Sequence, residues 1–180
     1  MMDDLLFEDE RIIWEGRPQT GFVMRSVEYF LIPFSLFWTG FVVVWNAGVW
    51  GTDAPLLFNL VGAAFLIVGL YFVAGRFLVD NAMRKQTRYF VTDQRILIVR
   101  GETGPKVKSL DIKRLPALEF DEQSDGVGTI RFGAQPTWLS LFNATGGLAI
   151  WQPMLESTPQ FLRVPEVRAL YRLIQEQART

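Results

Sequence analysis

The stretch that decides the fold runs from Tyr29 to Gly75 and reads YFLIPFSLFWTGFVVVWNAGVWGTDAPLLFNLVGAAFLIVGLYFVAG, with Asp53 as its single charged residue. The uncharged run on either side of Asp53 is longer than the roughly 20 residues that a helix needs to cross the hydrocarbon core of a bilayer. Polar residues are scattered in both runs and do not recur every three or four positions, as they would in an amphipathic helix. The sequence therefore predicts two transmembrane helices, at about 29–51 and 54–76.

The basic residues around these spans indicate their orientation. The turn between the spans contains no Lys or Arg, whereas Arg25 precedes the first span and Arg76, Arg84, Lys85 and Arg88 follow the second. By the positive-inside rule, both termini are predicted to be cytoplasmic. The acidic start of the chain lacks a basic region, so we do not expect a cleaved signal peptide. The predicted divisions are a cytoplasmic N-terminal segment (1–28), the two spans (29–76) and a cytoplasmic domain (77–180).

Small and amide residues within the spans suggest how the two helices pack. Asn46 and Asn59 lie at similar depth on the two sides of the turn, so we expect their amides to hydrogen-bond across the pair. Gly62 and Gly69 share one face of the second helix, where small residues allow two backbones to approach closely. A conduction path is the alternative for the amides, but spans without ionisable residues favour helix packing.

Beyond Arg76 the pattern changes to short alternating segments, typical of antiparallel strands. About seven strands are predicted, at 88–92, 95–100, 106–112, 118–121, 129–132, 148–151 and 160–163. An amphipathic helix follows Pro165, with apolar residues on one face at Val167, Leu170, Tyr171, Ile174 and Ala178. We expect an α+β membrane protein in which the transmembrane hairpin precedes a small antiparallel barrel or sandwich, capped by the C-terminal helix.

The composition excludes several kinds of chemistry. The chain contains no Cys and no His, which excludes disulfides, Cys/His zinc sites and His-based catalytic triads. The net charge of -1 gives no reason to expect nucleic acid as a partner. We predict no catalytic, cofactor-binding or metal-binding residue and no enzymatic activity. The less favoured alternative is a membrane enzyme that uses carboxylates such as Asp121 and Glu122.

Two motifs carry a resemblance to a known family. The segment 89–101, YFVTDQRILIVRG, resembles the Tyr-x-x-Thr-Asp-x-Arg hairpin of the bacterial pleckstrin-homology-like (PH) family, through Tyr89, Thr92, Asp93 and Arg95. The segment 10–18, ERIIWEGRP, is similar to the E-x-x-x-W-x-G-x-P stretch that precedes the helices in membrane-bound members, through Trp14, Gly16 and Pro18. These motif residues are expected to have structural roles.

The resemblance implies a PH-like barrel after two transmembrane helices, in a bacterial inner (cytoplasmic) membrane. It implies no enzymatic activity and no single ligand. We expect a non-enzymatic binding or adaptor module, with the lipid bilayer and another membrane protein or a second copy of the chain as partners. An anionic-lipid-binding or self-assembling scaffold is the alternative. Within the hairpin motif, we expect Thr92 and Asp93 to bond backbone amides of the turn, and Arg95 to pair with Asp93 or with turn carbonyls.

Two groups of residues are candidates for contact with partners or lipid. The first lies in the segment 134–147, which carries more large apolar side chains than a solvated loop normally has, and comprises Trp138, Leu139 and Phe142. Packing of this segment on the domain is the favoured expectation, and insertion into the bilayer or contact with a partner are the alternatives. The second is the basic group Arg84, Lys85 and Arg88, which could meet anionic head groups. The N-terminal segment is locally acidic, whereas residues 76–100 are basic. We therefore predict that this segment packs on the domain, with Trp14 as its apolar anchor.

Overall fold

The computed structural model describes residues 6–21, 28–101, 104–133 and 158–179. Two helices in it are long and apolar enough to cross a membrane. The first is α1 (Glu28–Trp50), and the second comprises α2 (Leu56–Leu70), a π-helical turn (Tyr71–Gly75) and α3 (Arg76–Lys85) in one continuous run. The second helix therefore extends beyond the predicted end of the span at Arg76.

The helices α1 and α2 pack through small and polar side chains. The buried face of α1 carries Leu31, Ser35, Thr39, Val42 and Asn46, at spacings of three or four residues. The residues of α2 buried against it are Gly62 and Gly69, as expected for a close helix pair. The predicted hydrogen bond between the amides of Asn46 and Asn59 is wrong, because Asn46 Nδ2 donates to the carbonyl of Gly62 at 3.1 Å.

A buried ion pair closes the other end of this hairpin. Arg76 Nη2 lies 2.7 Å from Glu28 Oε2, and the two side chains are 1% and 2% exposed. Glu28 is the first residue of α1, and Arg76 follows the π-helical turn. A π-helical turn rotates the helix that follows it relative to the helix that precedes it. The pair therefore joins the two helices where the chain leaves the apolar region.

Seven described strands form two antiparallel sheets. The four-stranded sheet has the order β1 (Ile12–Gly16), β2 (Thr87–Thr92), β3 (Arg95–Arg100) and β4 (Lys106–Asp111). The three-stranded sheet has the order β5 (Leu118–Glu122), β6 (Gly128–Phe132) and β7 (Gln160–Val164). A 3₁₀ turn (Ile112–Arg114) follows β4, and α4 (Val167–Arg179) follows β7. Six of the seven predicted antiparallel strands and the C-terminal helix are confirmed.

The first strand differs from the prediction. It comes from the N-terminal segment, ahead of both apolar helices, and pairs with β2 on the other side of them. The predicted strand at 148–151 lies outside the described residues. The strand predicted to end at Ile112 ends at Asp111, whose side chain accepts a hydrogen bond from the Lys113 amide and starts the 3₁₀ turn.

The hydrophobic core lies between the two sheets and α4. Its fully buried members include Val91, Ile96, Ile130, Phe161 and Ile174. The helix α4 contributes the apolar face that its sequence predicts, with Val167, Leu170 and Ile174 buried. It begins at Val167, two residues after Pro165, because Glu166 has a left-handed backbone conformation with φ of 49°. Packing of this amphipathic face is what closes the barrel.

Candidate functional site

The two family-like motifs meet at one end of the four-stranded sheet. Glu10 Oε1 accepts hydrogen bonds from Arg95 Nε at 2.8 Å and from the Thr92 hydroxyl at 2.7 Å. Its other oxygen, Oε2, accepts from Arg95 Nη2 at 2.7 Å and from the Phe7 amide at 3.0 Å. Because the guanidinium uses two nitrogens on two oxygens, this is the bidentate pairing typical of strong Arg–carboxylate contacts.

The surroundings of Glu10 keep its carboxylate ionised. Burial would raise the pKa of this carboxyl, but hydrogen bonds from Arg95, Phe7 and Thr92 and the charge of Arg95 lower it to about 2. The same hydrogen bonds raise the pKa of Arg95. The ring of Phe7 covers the guanidinium of Arg95 at 4.0 Å from its centroid. The N-terminal segment and β3 are therefore held together by a permanent charge pair.

Residues of the turn between β2 and β3 divide their hydrogen bonds differently from the prediction. The Thr92 hydroxyl accepts from the amides of Gln94 at 3.2 Å and Arg95 at 2.9 Å, within the turn. Asp93 instead accepts from the Arg11 amide at 3.0 Å, and Arg95 pairs with Glu10. The predicted pairing of Arg95 with Asp93 or with turn carbonyls is wrong because Glu10 offers a buried carboxylate at the same place.

The remaining motif residues lie in or beside the core. Trp14 and Tyr89 both stack on the ring of Phe161, at 5.8 Å and 4.5 Å between ring centroids. Gly16 lies so close to the Trp14 ring that any Cβ there would overlap it. Pro18 is buried. The Tyr89 hydroxyl accepts from the Leu162 amide at 3.0 Å, and burial raises the pKa of Tyr89 to about 12.

Arg84 does not lie where a lipid contact requires it. Its side chain is 2% exposed and forms an ion pair with Asp80 at 2.9 Å. It also donates to the carbonyl oxygens of Gln19 at 3.1 Å and Gly21 at 2.7 Å. Arg84 is buried because the carbonyls of Gln19 and Gly21 lie beside α3 and need a hydrogen-bond donor. The prediction of Arg84 as a head-group contact is therefore corrected, whereas Lys85 and Arg88 are exposed.

Further basic residues lie at the end of the sheet next to α3. Arg100 at the end of β3 is directly opposite Lys106 at the start of β4, and Lys108 is two residues further along β4. Burial, together with the charge of Arg100, lowers the pKa of Lys108. Like charges directly opposite each other destabilise a sheet, so the stability of the sheet does not explain why these basic residues lie together. Sequence reasoning missed Lys106 and Lys108, although the register of the hairpin around 101–105 would have placed them here.

The candidate carboxylates of an enzymatic site are paired with surface arginines. Asp121 contacts Arg131 on the neighbouring strand, and Glu122 contacts Arg168 of α4 at 2.6 Å. Both acidic side chains keep substantial exposure, 64% and 26%. Within residues 6–21, 28–101, 104–133 and 158–179, no three Asp or Glu side chains are grouped so as to hold a metal ion.

The apolar candidates Trp138, Leu139 and Phe142 lie outside the described residues. No curated protein and no solved structure matches the chain. A family model described as "Bacterial PH domain" matches residues 31–178, which include both apolar helices and all strands after β1. The sheet order, the closing helix and this match together agree with the motifs, and the chain belongs to the bacterial PH domain family.

Proposed function

We propose that the protein is a membrane-anchored, non-enzymatic binding module at the cytoplasmic face of a bacterial inner membrane, where it places another membrane protein or a second copy of itself. One observation carries the proposal: the helix from Leu56 to Lys85 runs from an apolar span directly to the first residue pairs of the PH-like sheet. Only Gln86 separates α3 from β2. A domain attached in this way is held at the membrane surface.

The distribution of charge supports the orientation with both termini in the cytoplasm. The only charged residue between the helices at the turn end of the hairpin is Asp53, whereas Arg76, Arg84, Lys85 and Arg88 follow the second helix. A cytoplasmic excess of Lys and Arg near the ends of spans is the general rule for short loops. The domain is therefore assigned to the cytoplasmic side.

The proposal of a binding module is supported by the pairing and the exposure of the candidate carboxylates. Asp121 and Glu122 each have an arginine partner and lie on the surface. A general acid or base normally lies in a cleft where burial or a like charge shifts its pKa toward neutrality. The Glu10 carboxyl has the opposite shift, since its pKa of about 2 leaves no proton to donate near neutral pH.

Crosslinking in native membranes tests the proposal. The full chain is crosslinked, purified in mild detergent and compared with a Trp138→Ala/Phe142→Ala variant, with Phe120→Ala as a control for loss of an exposed aromatic side chain. We expect a stoichiometric protein that is retained by the parent and the control and lost from the double variant. Recovery of the chain without any crosslinked protein, neither another protein nor a second copy, would contradict the adaptor role.

The second candidate function is binding of anionic lipid, and the basic end of the sheet favours it. Lys85, Arg88 and Lys106 are exposed beside α3, with Arg100 opposite Lys106. Near an anionic surface each basic residue contributes about 1 kcal/mol to attraction. Phospholipid retained after purification would be quantified for the parent, a Lys85→Gln/Arg88→Gln/Lys106→Gln variant and a charge-matched Lys113→Gln/Arg114→Gln/Arg172→Gln control. Equal anionic lipid in all three proteins would exclude this candidate.

A further inference from the structure

The apolar hairpin interrupts the PH-like domain between its first two strands. β1 precedes α1, β2 follows α3, and the two strands pair antiparallel from Ile12↔Thr92 to Gly16↔Tyr89. The family match begins at residue 31, so β1 lies outside it although it completes the sheet. The domain is therefore built from chain on both sides of the hairpin.

The segment that contains β1 contacts several parts of the molecule in succession. At its start Glu10 pairs with Arg95 of β3, and Trp14 then enters the core against Phe161 of β7. Further along, the Gln19 amide donates to the carbonyl of Arg163 at 2.8 Å. We call residues 10–21 the strap, since they cross the domain from its far end to α3.

The end of the strap is attached to α3 itself. The Gly21 amide donates to Asn81 Oδ1 at 3.0 Å, while its carbonyl accepts from Arg84 at 2.7 Å. Arg84 also holds the carbonyl of Gln19, and its charge is balanced by Asp80 in the same helix. A buried guanidinium that satisfies two backbone carbonyls is costly to move, because each group would be left without a partner.

The junction between α3 and β2, on the other side of the hairpin, is short. The Thr87 hydroxyl donates to the Met83 carbonyl at 2.8 Å, and the Gly101 amide donates to the Gln86 carbonyl at 2.9 Å. The chain therefore enters the domain at two adjacent points, Gly21 and Gln86, both tied to α3. Two adjacent, hydrogen-bonded attachments remove the swivelling freedom that a single flexible linker leaves.

We propose that the strap locks the PH-like domain in one orientation relative to the hairpin, and that the domain is completed only when both ends of the hairpin emerge on the same side of the membrane. The inference rests on the proposed membrane placement. A domain locked in this way presents its basic end, with Lys85 and Arg88, toward the bilayer. It presents the opposite end, with Gln94 and Lys113, away from the bilayer, as the surface that proteins of the cytoplasm can reach.

The absence of native Cys allows a direct distance measurement on the full chain in lipid nanodiscs. Spin labels are placed at Asp53→Cys in the hairpin turn and at Gln94→Cys in the β2–β3 turn. Both side chains are exposed. We expect a single narrow distance distribution. It should widen roughly twofold or more in an Arg84→Ala variant and stay narrow in a Lys85→Ala control.

Further readouts keep the test decisive. A label pair within the domain, Gln94→Cys with Arg172→Cys, reports whether each variant is folded, and Glu10→Gln releases the other end of the strap if Arg84→Ala does not fold. A broad distribution in the parent, or an unchanged one in both folded strap variants, would overturn the lock. Impermeant thiol labelling of the single-cysteine chains tests placement separately: Asp53→Cys should react from outside and Gln94→Cys only from the cytoplasmic side.

Discussion

Glu10 and Arg95 are 85 residues apart in the chain, and all of the apolar hairpin lies between them, yet their side chains form a bidentate ion pair. The carboxylate side chain is fully buried and the guanidinium side chain is 16% exposed. Thr92 and the Phe7 amide complete the hydrogen bonds of the carboxylate. This pair explains why an acidic residue before the hairpin and an arginine after it can act as one structural unit.

Replacing Glu10 by Gln is expected to destabilise the domain by about 2 to 3 kcal/mol. The variant keeps the size of the side chain but removes the negative charge that pairs with the Arg95 guanidinium, and hydrogen bonds to charged groups are the strong ones. Chemical unfolding in detergent, followed by the intrinsic tryptophan fluorescence of the chain, measures the change. Glu8→Gln, which removes an exposed charge from the same segment, is the control and should be within about 0.5 kcal/mol of the parent.

The same pair predicts a defined dependence of stability on pH. The pKa of Glu10 is lowered from 4.5 to about 2 in the folded protein, so its contribution is fully present above about pH 4.5. The contribution is lost as the pH falls toward 2, because the carboxylate must then be protonated. We expect the difference in thermal stability between the parent and Glu10→Gln to be constant from pH 7 to 5 and to shrink below pH 4. A difference that stays constant to pH 3 would assign the stabilisation to another group.

Periodicity and apolar runs were sufficient to predict the hairpin, the antiparallel strands and the closing helix. Each of these elements is encoded locally, by an uncharged run, by alternation or by a helical apolar face. The strand Ile12–Gly16 was missed as a strand because its partner, β2, lies beyond the hairpin in sequence. Only its opposite local charge and Trp14 indicated that this segment packs on the domain.

The candidate site was predictable to a smaller extent. Arg84 resembles Lys85 in sequence, since both follow an apolar span, yet one is buried and the other exposed. The difference arises from two backbone carbonyls, of Gln19 and Gly21, whose need for a donor no side-chain pattern records. Glu10 likewise becomes a partner of Arg95 only through the register of β1 with β2.

Replacing Gly62 by Ala is expected to weaken the hairpin by about 1 to 2 kcal/mol. A Cβ at this position would overlap the Asn46 side chain, whose Nδ2 donates to the Gly62 carbonyl. Gly40→Ala is the matched control, because a Cβ there has open space around it. Resistance of the purified protein to unfolding by a denaturing detergent measures the effect. Equal resistance of the two variants would mean that the helices do not pack in this register.

Tyr89 is expected to ionise only near pH 12 when the folded protein is titrated with base. Burial raises its pKa to about 12 from an ordinary value of 10, and its hydroxyl accepts from the Leu162 amide. Stability linked to this group is therefore fully present below about pH 10 and is lost as the pH rises through 12. In Tyr89→Phe the increase in phenolate absorbance near pH 12 should be smaller by the contribution of one tyrosine. The substitution should lower the free energy of unfolding at pH 7 by about 1 kcal/mol. Tyr171→Phe, which removes a hydroxyl that contacts Gln175 within α4, is the control and should leave the late step in place.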